Sequence, residues 1–217
     1  DQANGYPQSK WLAEVLVLEA ARQGLPCYIH RPGLIGGHSV TGAAAEDVFF
    51  HFLADVLKLR RLPQMNGRKF NVTPVDWVAK AIARIALPGF LGEGKLPSGS
   101  VFHPAAPNNA ITTNMLAAVL KRFGYGHLAF MDFVDWRDSI VGSPLDFKSW
   151  SFCAALSVEG DGIDSMAETM LGAKAIREAV GEAFDKYDPA DCLVRMLRWY
   201  TAQGLLPQPE SAWPDAA

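Results

Sequence analysis

Tyr6 and Lys10 stand four positions apart at the head of an apolar-periodic segment. On a helix that spacing puts both side chains on one face, a turn from each other. A phenol, with a reference pKa of about 10, is a poor acid–base group at neutral pH. A neighbouring ammonium favours the ionised form and lowers that pKa. Such a pair can pass a proton to a carbonyl oxygen while a hydride reaches the carbon. The same two residue types also occur on ordinary solvated helix faces, so the pair gains meaning only from its surroundings. Pro7 disfavours helical dihedrals at Tyr6, which predicts that the tyrosine sits at the helix boundary.

The elements that must position this pair are readable from periodicity and breakers. Residues 7 to 23 predict a helix, with Leu12, Val15, Leu16 and Leu18 on an apolar face and Glu14 and Glu19 on a wet one. Gly24 ends it. Pro26 to Arg31 reads as a short strand, and Pro32-Gly-Leu-Ile-Gly-Gly37 as a loop at its carboxyl end. Helix, tight turn, strand and glycine loop in this order are half of a βαβ unit and imply a parallel sheet. Further on, Ala43 to Arg60 predicts a helix and Phe70 to Pro74 a strand. Asp76 is expected to cap a helix running to Ala86. Strands are expected at Val101 to His103 and Leu128 to Val134. Thr112 or Thr113 should cap a helix that Gly124 stops, and Asp135 a helix to Val141. Residues 160 to 187 read as helical but interrupted by glycines. Asp188-Pro189 is an N-cap followed by proline at the first helical position, with Leu193, Met196, Leu197 and Tyr200 as the stripe. The tail after Pro207 is expected to fray.

Composition narrows the class. The chain has 217 residues, 49% of them apolar, and a formal charge of −3. That suits a packed α/β protein and supplies no field for nucleic acid or an anionic membrane. No stretch is apolar enough to span a bilayer, and no signal peptide is visible. Cys27, Cys153 and Cys192 are odd in number and widely spaced, which points to thiols in a reducing, cytoplasmic setting. The five histidines form no pair at metal spacing, so no metal site is expected. The opening Asp1-Gln-Ala-Asn-Gly5 has no initiator methionine and leads straight into the tyrosine motif, as in a chain truncated within a larger domain.

The segment Gly5-Tyr-Pro-Gln-Ser-Lys-Trp-Leu-Ala-Glu14 resembles the active-site helix of thioester reductase domains. These terminate nonribosomal peptide synthetases, some polyketide synthases and carboxylic acid reductases, and belong to the extended short-chain dehydrogenase/reductase superfamily. Arg31-Pro-Gly-Leu-Ile-Gly-Gly-His-Ser-Val-Thr-Gly42 is similar to the family's next block, and Phe70-Asn-Val-Thr-Pro-Val-Asp-Trp-Val-Ala79 to a later strand–helix block. Val101-Phe-His103 with Asn108, Trp136-Arg137 and Gly204-Leu-Leu-Pro207 match weaker positions; residues 140 to 190 carry no specific match.

The resemblance implies the C-terminal part of a Rossmann-like extended short-chain dehydrogenase fold with a mainly helical substrate subdomain. Residues 1–35 and 68–87 would be the remnant of the nucleotide-binding domain, and 36–67 with 88–217 the substrate-binding subdomain. Tyr6 would be the catalytic acid, and Lys10 the residue that tunes it and holds the nicotinamide ribose of NADPH. Pro32, Gly33, Leu34 and Ile35 would lie against the nicotinamide, and Gly36, Ser39 and Thr41 would border the substrate entrance. The partner would be an acyl or peptidyl thioester on the phosphopantetheine arm of a carrier protein, released as aldehyde or alcohol. A fatty-acyl-CoA reductase, a nucleotide-sugar epimerase and a non-catalytic fragment that binds carrier or acyl chain are the alternatives. The family's Gly-rich phosphate loop and its third catalytic Ser or Thr are not among these residues, so the isolated chain is expected to bind NADPH poorly and to be inactive. Gly89, Gly92 and Gly94 lack the flanking strand and helix that such a loop needs.

Weaker signals have plainer readings. Gly37-His-Ser-Val-Thr-Gly42 misses the G-x-S-x-G elbow of hydrolases by one residue. Lys58-Leu-Arg-Arg61 fits favourable charge at a helix carboxyl end better than a docking patch for an acidic carrier. Trp136, Trp150 and Trp199 read as core and Trp213 as part of an exposed tail. The sequon Asn71-Val-Thr73 falls in a predicted strand and carries no meaning there.

Overall fold

Caps and strand pairing, rather than periodicity alone, set the element boundaries. The computed structural model describes residues 5–64, 70–87, 97–105, 110–141 and 176–210, with the side chains of Tyr6, Pro7, Ala110 and Val141 outside the described part. In chain order the elements are α1 (Gly5–Arg22), β1 (Ile29–His30), β2 (Leu34–Gly36), α2 (Val48–Leu59), β3 (Arg61–Gln64), β4 (Phe70–Pro74), α3 (Val75–Ala86), β5 (Val101–Phe102) and β6 (Ala110–Ile111). Then come α4 (Thr113–Leu120), a π-helical turn (Lys121–Tyr125), β7 (Ala129–Asp132), α5 (Phe133–Val141), the single turn α6 (Glu182–Asp185) and α7 (Pro189–Ala202).

Pairing is mostly parallel. β1 lies beside β5, β2 beside β4 and β3 beside β7, all parallel, while β6 joins β4 antiparallel. The principal core gathers Phe49, Phe52, Leu53 and Val56 of α2, Phe70 and Val72 of β4, Trp136 of α5, and Leu193, Met196 and Leu197 of α7. Trp136 is fully buried with its ring 5.5 Å from Phe52, and its indole N–H donates to the Arg61 carbonyl at 3.2 Å. The Tyr200 hydroxyl donates to the Ala45 carbonyl at 2.8 Å, and burial pushes its pKa upward. A smaller cluster joins Trp77 and Ala81 of α3 to Ile176 and Phe184.

Several expectations hold closely. β4 covers the predicted Phe70 to Pro74, and α7 has Asp188 as N-cap with proline following it. Gly24 takes the left-handed conformation (φ 92) just past α1, as a helix stop should. Thr112, not Thr113, caps α4 by accepting the Met115 amide. Gly124 (φ 104) sits inside the π-helical turn that follows. Trp150, Trp213, Cys153, most of the stretch from 160 to 187 and the glycines at 89, 92 and 94 lie outside the described residues.

Other expectations are corrected. The helix placed at Ala43 begins at Val48, because the Asp47 carboxylate accepts the amides of Phe49 (3.0 Å) and Phe50 (2.9 Å). The glycine loop is partly strand: Leu34 to Gly36 pair with Val72 to Pro74, satisfying backbone groups that a free loop would leave to water. Asp76 does not cap α3, which starts one residue earlier without a side-chain cap. Asp135 lies inside α5, and Asp132 instead accepts the Val134 amide at 2.8 Å. α1 begins at Gly5, two residues before the expected start, and Tyr6 sits at its boundary as expected. The apolar face of α1 is not buried against the described residues: Trp11 is 68% and Leu16 64% exposed, and only Val17, Leu18 and Ala20–Ala21 are partly covered. In the basic cluster, Lys58 occupies the last turn of α2 as expected, and Arg60 pairs with Glu210 at 2.9 Å.

Candidate active site

The polar groups that could do chemistry converge where β1 and β5 end. Both strands run parallel, so His30 and Phe102 are neighbours and Arg31 and His103 follow them at the carboxyl edge. Ligands bind open α/β sheets at this edge. Glu14 reaches it from α1: the Arg31 Nε donates to Glu14 Oε1 at 2.8 Å and a second guanidinium N–H donates to Oε2. The pair is two-pronged, the geometry in which guanidinium binds carboxylate most specifically. That bonding holds the Glu14 carboxyl below the usual carboxylate range, with a smaller contribution from the Arg31 charge. Burial, and then the Arg31 charge, lower the pKa of His103, against the opposing charge of Glu14.

This latch fixes the rotation of α1. Lys10 precedes Glu14 by four residues and Tyr6 precedes Lys10 by four, so the three occupy neighbouring positions on one side of the helix. The latch turns that side toward the residue immediately before Pro32. Lys10 is exposed; the side chain of Tyr6 lies outside the described part. Glu14→Gln is expected to cost about 1 kcal/mol or less, given a partly solvated pair. A carboxyl with a lowered folded pKa contributes stability above its unfolded pKa and loses it as pH falls through the folded one. The gap in thermal unfolding between wild type and variant should therefore be full at neutral pH and close as pH falls below the ordinary carboxylate value of 4.5. A gap that persists in acid would show that charge is not what the latch contributes.

The next residues divide between core and surface. Pro32 and Gly33 are half-buried, and a β-carbon on Gly33 would meet Asn71 Oδ1 at 2.9 Å. Leu34 packs against the principal core, whereas Ile35 is 39% exposed. Gly36 and Gly37 are buried, with Val72 and Met196 where a side chain would project. Those two glycines thus serve packing of β2 on β4 and α7. What this stretch offers a ligand is the backbone of Pro32 to Ile35 and the Ile35 side chain. His30 stacks on Phe102 at 5.5 Å, and its buried Nδ1 has no hydrogen-bond partner among the described residues. Burial lowers its pKa.

Ser39 and Thr41 lie on the turn after β2. The Asp76 carboxylate accepts the Ser39 amide on Oδ1 and the Ser39 hydroxyl on Oδ2, each at 2.8 Å. Arg195 of α7 donates to the Ser39 carbonyl. Thr41 Oγ1 accepts the Ala43 amide at 3.3 Å and bonds within its own turn. Sequence reasoning gave no role to Glu14, Arg31 or Arg195. Opposite charges at Glu14 and at the end of the β1 segment were a usable signal for the first two. Nothing local marks Arg195, which meets Ser39 from the far end of the chain.

Residues 1–82 match the family model described as male sterility protein, an NAD-binding family. Glycine betaine reductase ATRR of Emericella nidulans is 40% identical over 123 residues, 56% of this chain and 9% of that protein. The terminal R domain of the myxalamid PKS-NRPS pathway has the same fold with a TM-score of 0.72 at 24% identity, over 96% of this chain and 52% of that one. A thiolation–reductase di-domain from an archaeal non-ribosomal peptide synthetase gives a TM-score of 0.68 at 23% identity, over 94% and 42%. The chain thus spans about half of the solved reductase domain and a small share of the curated relative. Its fold is that of the matching part of these solved reductase domains, a Rossmann-like α/β architecture with parallel strand pairs. The likeness to the family model lies in residues 1–82, and the likeness to these reductase domains is one of fold. No helix among the described residues is long and apolar enough to cross a membrane.

Proposed function

We propose that the chain serves NADPH-dependent reduction of an acyl or peptidyl thioester held on a carrier protein's phosphopantetheine arm. The product is an aldehyde, or an alcohol after a second round. NADPH, when bound, supplies hydride to the thioester carbonyl carbon, and the carbon–sulfur bond breaks to release the thiol. Tyr6 donates its proton to the oxygen on which charge develops. Lys10 favours ionisation of that phenol and bonds the ribose hydroxyls. The backbone of Pro32, Gly33, Leu34 and Ile35 lines the nicotinamide. Gly36, Ser39 and Thr41 border the entrance used by the acyl arm. Residues 1–35 and 68–87 form the nucleotide-binding side, and 36–67 with 88–217 the substrate side.

The observation that carries this proposal is the Glu14–Arg31 latch. It brings the helix side that bears Lys10 to the carboxyl end of β1, next to the Pro32–Ile35 stretch. The test is turnover by the complete purified protein with an acyl-carrier thioester, comparing NADPH with NADH. Loss of reduced nicotinamide absorbance in step with aldehyde release is expected with NADPH. Binding of the acyl carrier without any reduction would leave a binding module in place of an enzyme.

A further inference from the structure

The turn that follows β2 is held by two helices as well as by its own bonds. Asp76, in the first turn of α3, takes both the amide and the hydroxyl of Ser39. Arg195 of α7 takes its carbonyl. Within the turn, His38 Nδ1 accepts the Val40 amide at 3.1 Å and the Gly42 amide donates to the His38 carbonyl at 2.9 Å. Every polar group of Ser39 is therefore committed, and Lys80 lies 3.8 Å from the Asp76 carboxylate. At the tip, Val40 is 72% exposed.

Surface turns are ordinarily closed by local bonds. This one also uses polar groups from two distant helices to fix an exposed apolar tip. Such a turn keeps one conformation before any ligand arrives, which removes ordering cost from binding. It stands at the carboxyl end of β2, directly beyond Ile35 and Gly36.

We infer that Asp76 is a positioning residue for the thioester substrate, acting through Ser39 to hold the 38–42 turn where Val40 meets the apolar part of the acyl chain. The inference rests on the reductase function proposed above. Asp76 touches neither cofactor nor reacting atoms in this role.

The experiment compares Asp76→Ala, Asp76→Asn and Ser39→Ala in the complete protein. Asparagine can still accept the Ser39 amide and can donate its own N–H to the Ser39 hydroxyl, so it should recover most of the function. Asp76→Ala should raise the KM for the acyl thioester about 10-fold, the size of one or two lost hydrogen bonds, with kcat and NADPH affinity nearly unchanged. Amide hydrogen exchange at 39–42 should quicken by a similar factor in that variant, while exchange in α2 stays as in wild type. Ser39→Ala should fall between. An Asp76→Ala protein with wild-type thioester KM overturns the inference, as does one whose kcat and NADPH affinity fall together with its Tm. Should Asp76→Ala not fold, Ser39→Ala decides alone: unchanged KM and unchanged exchange refute the clamp. A wild-type protein that reduces no thioester removes the reductase function and the substrate role of Asp76 with it, whereas the exchange measurement still reports whether the turn is held.

Discussion

Replacing Tyr6 with phenylalanine in the complete protein is expected to lower kcat for thioester reduction by about a thousandfold, within the range set by losing one positioned proton donor. The change deletes a single hydroxyl and keeps the ring. KM for the thioester and affinity for NADPH should move little, because the lost interaction strengthens only as charge builds on the oxygen. Single-turnover kinetics with cofactor titration in parallel separate the two effects. A variant that keeps a tenth or more of the wild-type rate would falsify the assignment of Tyr6 as the acid. One that loses NADPH binding as well would make Tyr6 a structural support for the cofactor rather than a proton donor.

Gly42→Ala is expected to destabilise the fold by about 3 kcal/mol, combining left-handed strain with overpacking. Gly42 has φ 72, and an added β-carbon would overlap the Arg195 carbonyl. Backbone on both sides leaves no flexible side chain to move aside. Urea unfolding of the two proteins measures the difference. A loss under about 1 kcal/mol would mean that the turn and α7 separate readily, and the clamp on Ser39 would lose its basis.

Local chemistry was the legible part of this molecule. The proline after Asp188, the glycine after α1 and the short strand from Phe70 to Pro74 each act within a few residues, and the structure follows them. Asp47 shows the limit of periodicity. The apolar pattern runs back to Ala43, but one carboxylate that captures two amides starts the helix at Val48. Asp76 shows a different limit. Its position suited a cap, yet its partner is Ser39, and only the parallel pairing of β2 with β4 brings the two together. The candidate site divides in the same way. Tyr6 and Lys10 are visible as spacing on one helix, whereas the Glu14–Arg31 bond that orients that helix depends on where β1 lies in three dimensions.

The apolar stripe of α1 is largely exposed among the described residues. Periodicity reports that a helix has an apolar side and is silent on what covers it. Among the described residues Trp11, Leu12 and Leu16 meet solvent, which no reading of α1 alone could have foreseen.

The parallel pairing has a consequence for how the chain assembles in time. Ile29 meets Val101 and Arg61 meets Ala129, in each case across roughly seventy residues of intervening chain, a separation that makes folding slow. No hairpin exists to nucleate either pair, since parallel strands need a long crossover. During synthesis β1 leaves the ribosome several seconds before β5, at the usual rate of about 5–20 residues per second. In that interval its backbone groups have no β5 to pair with. The segment around β1 is thus one for which a holding chaperone has a window of seconds.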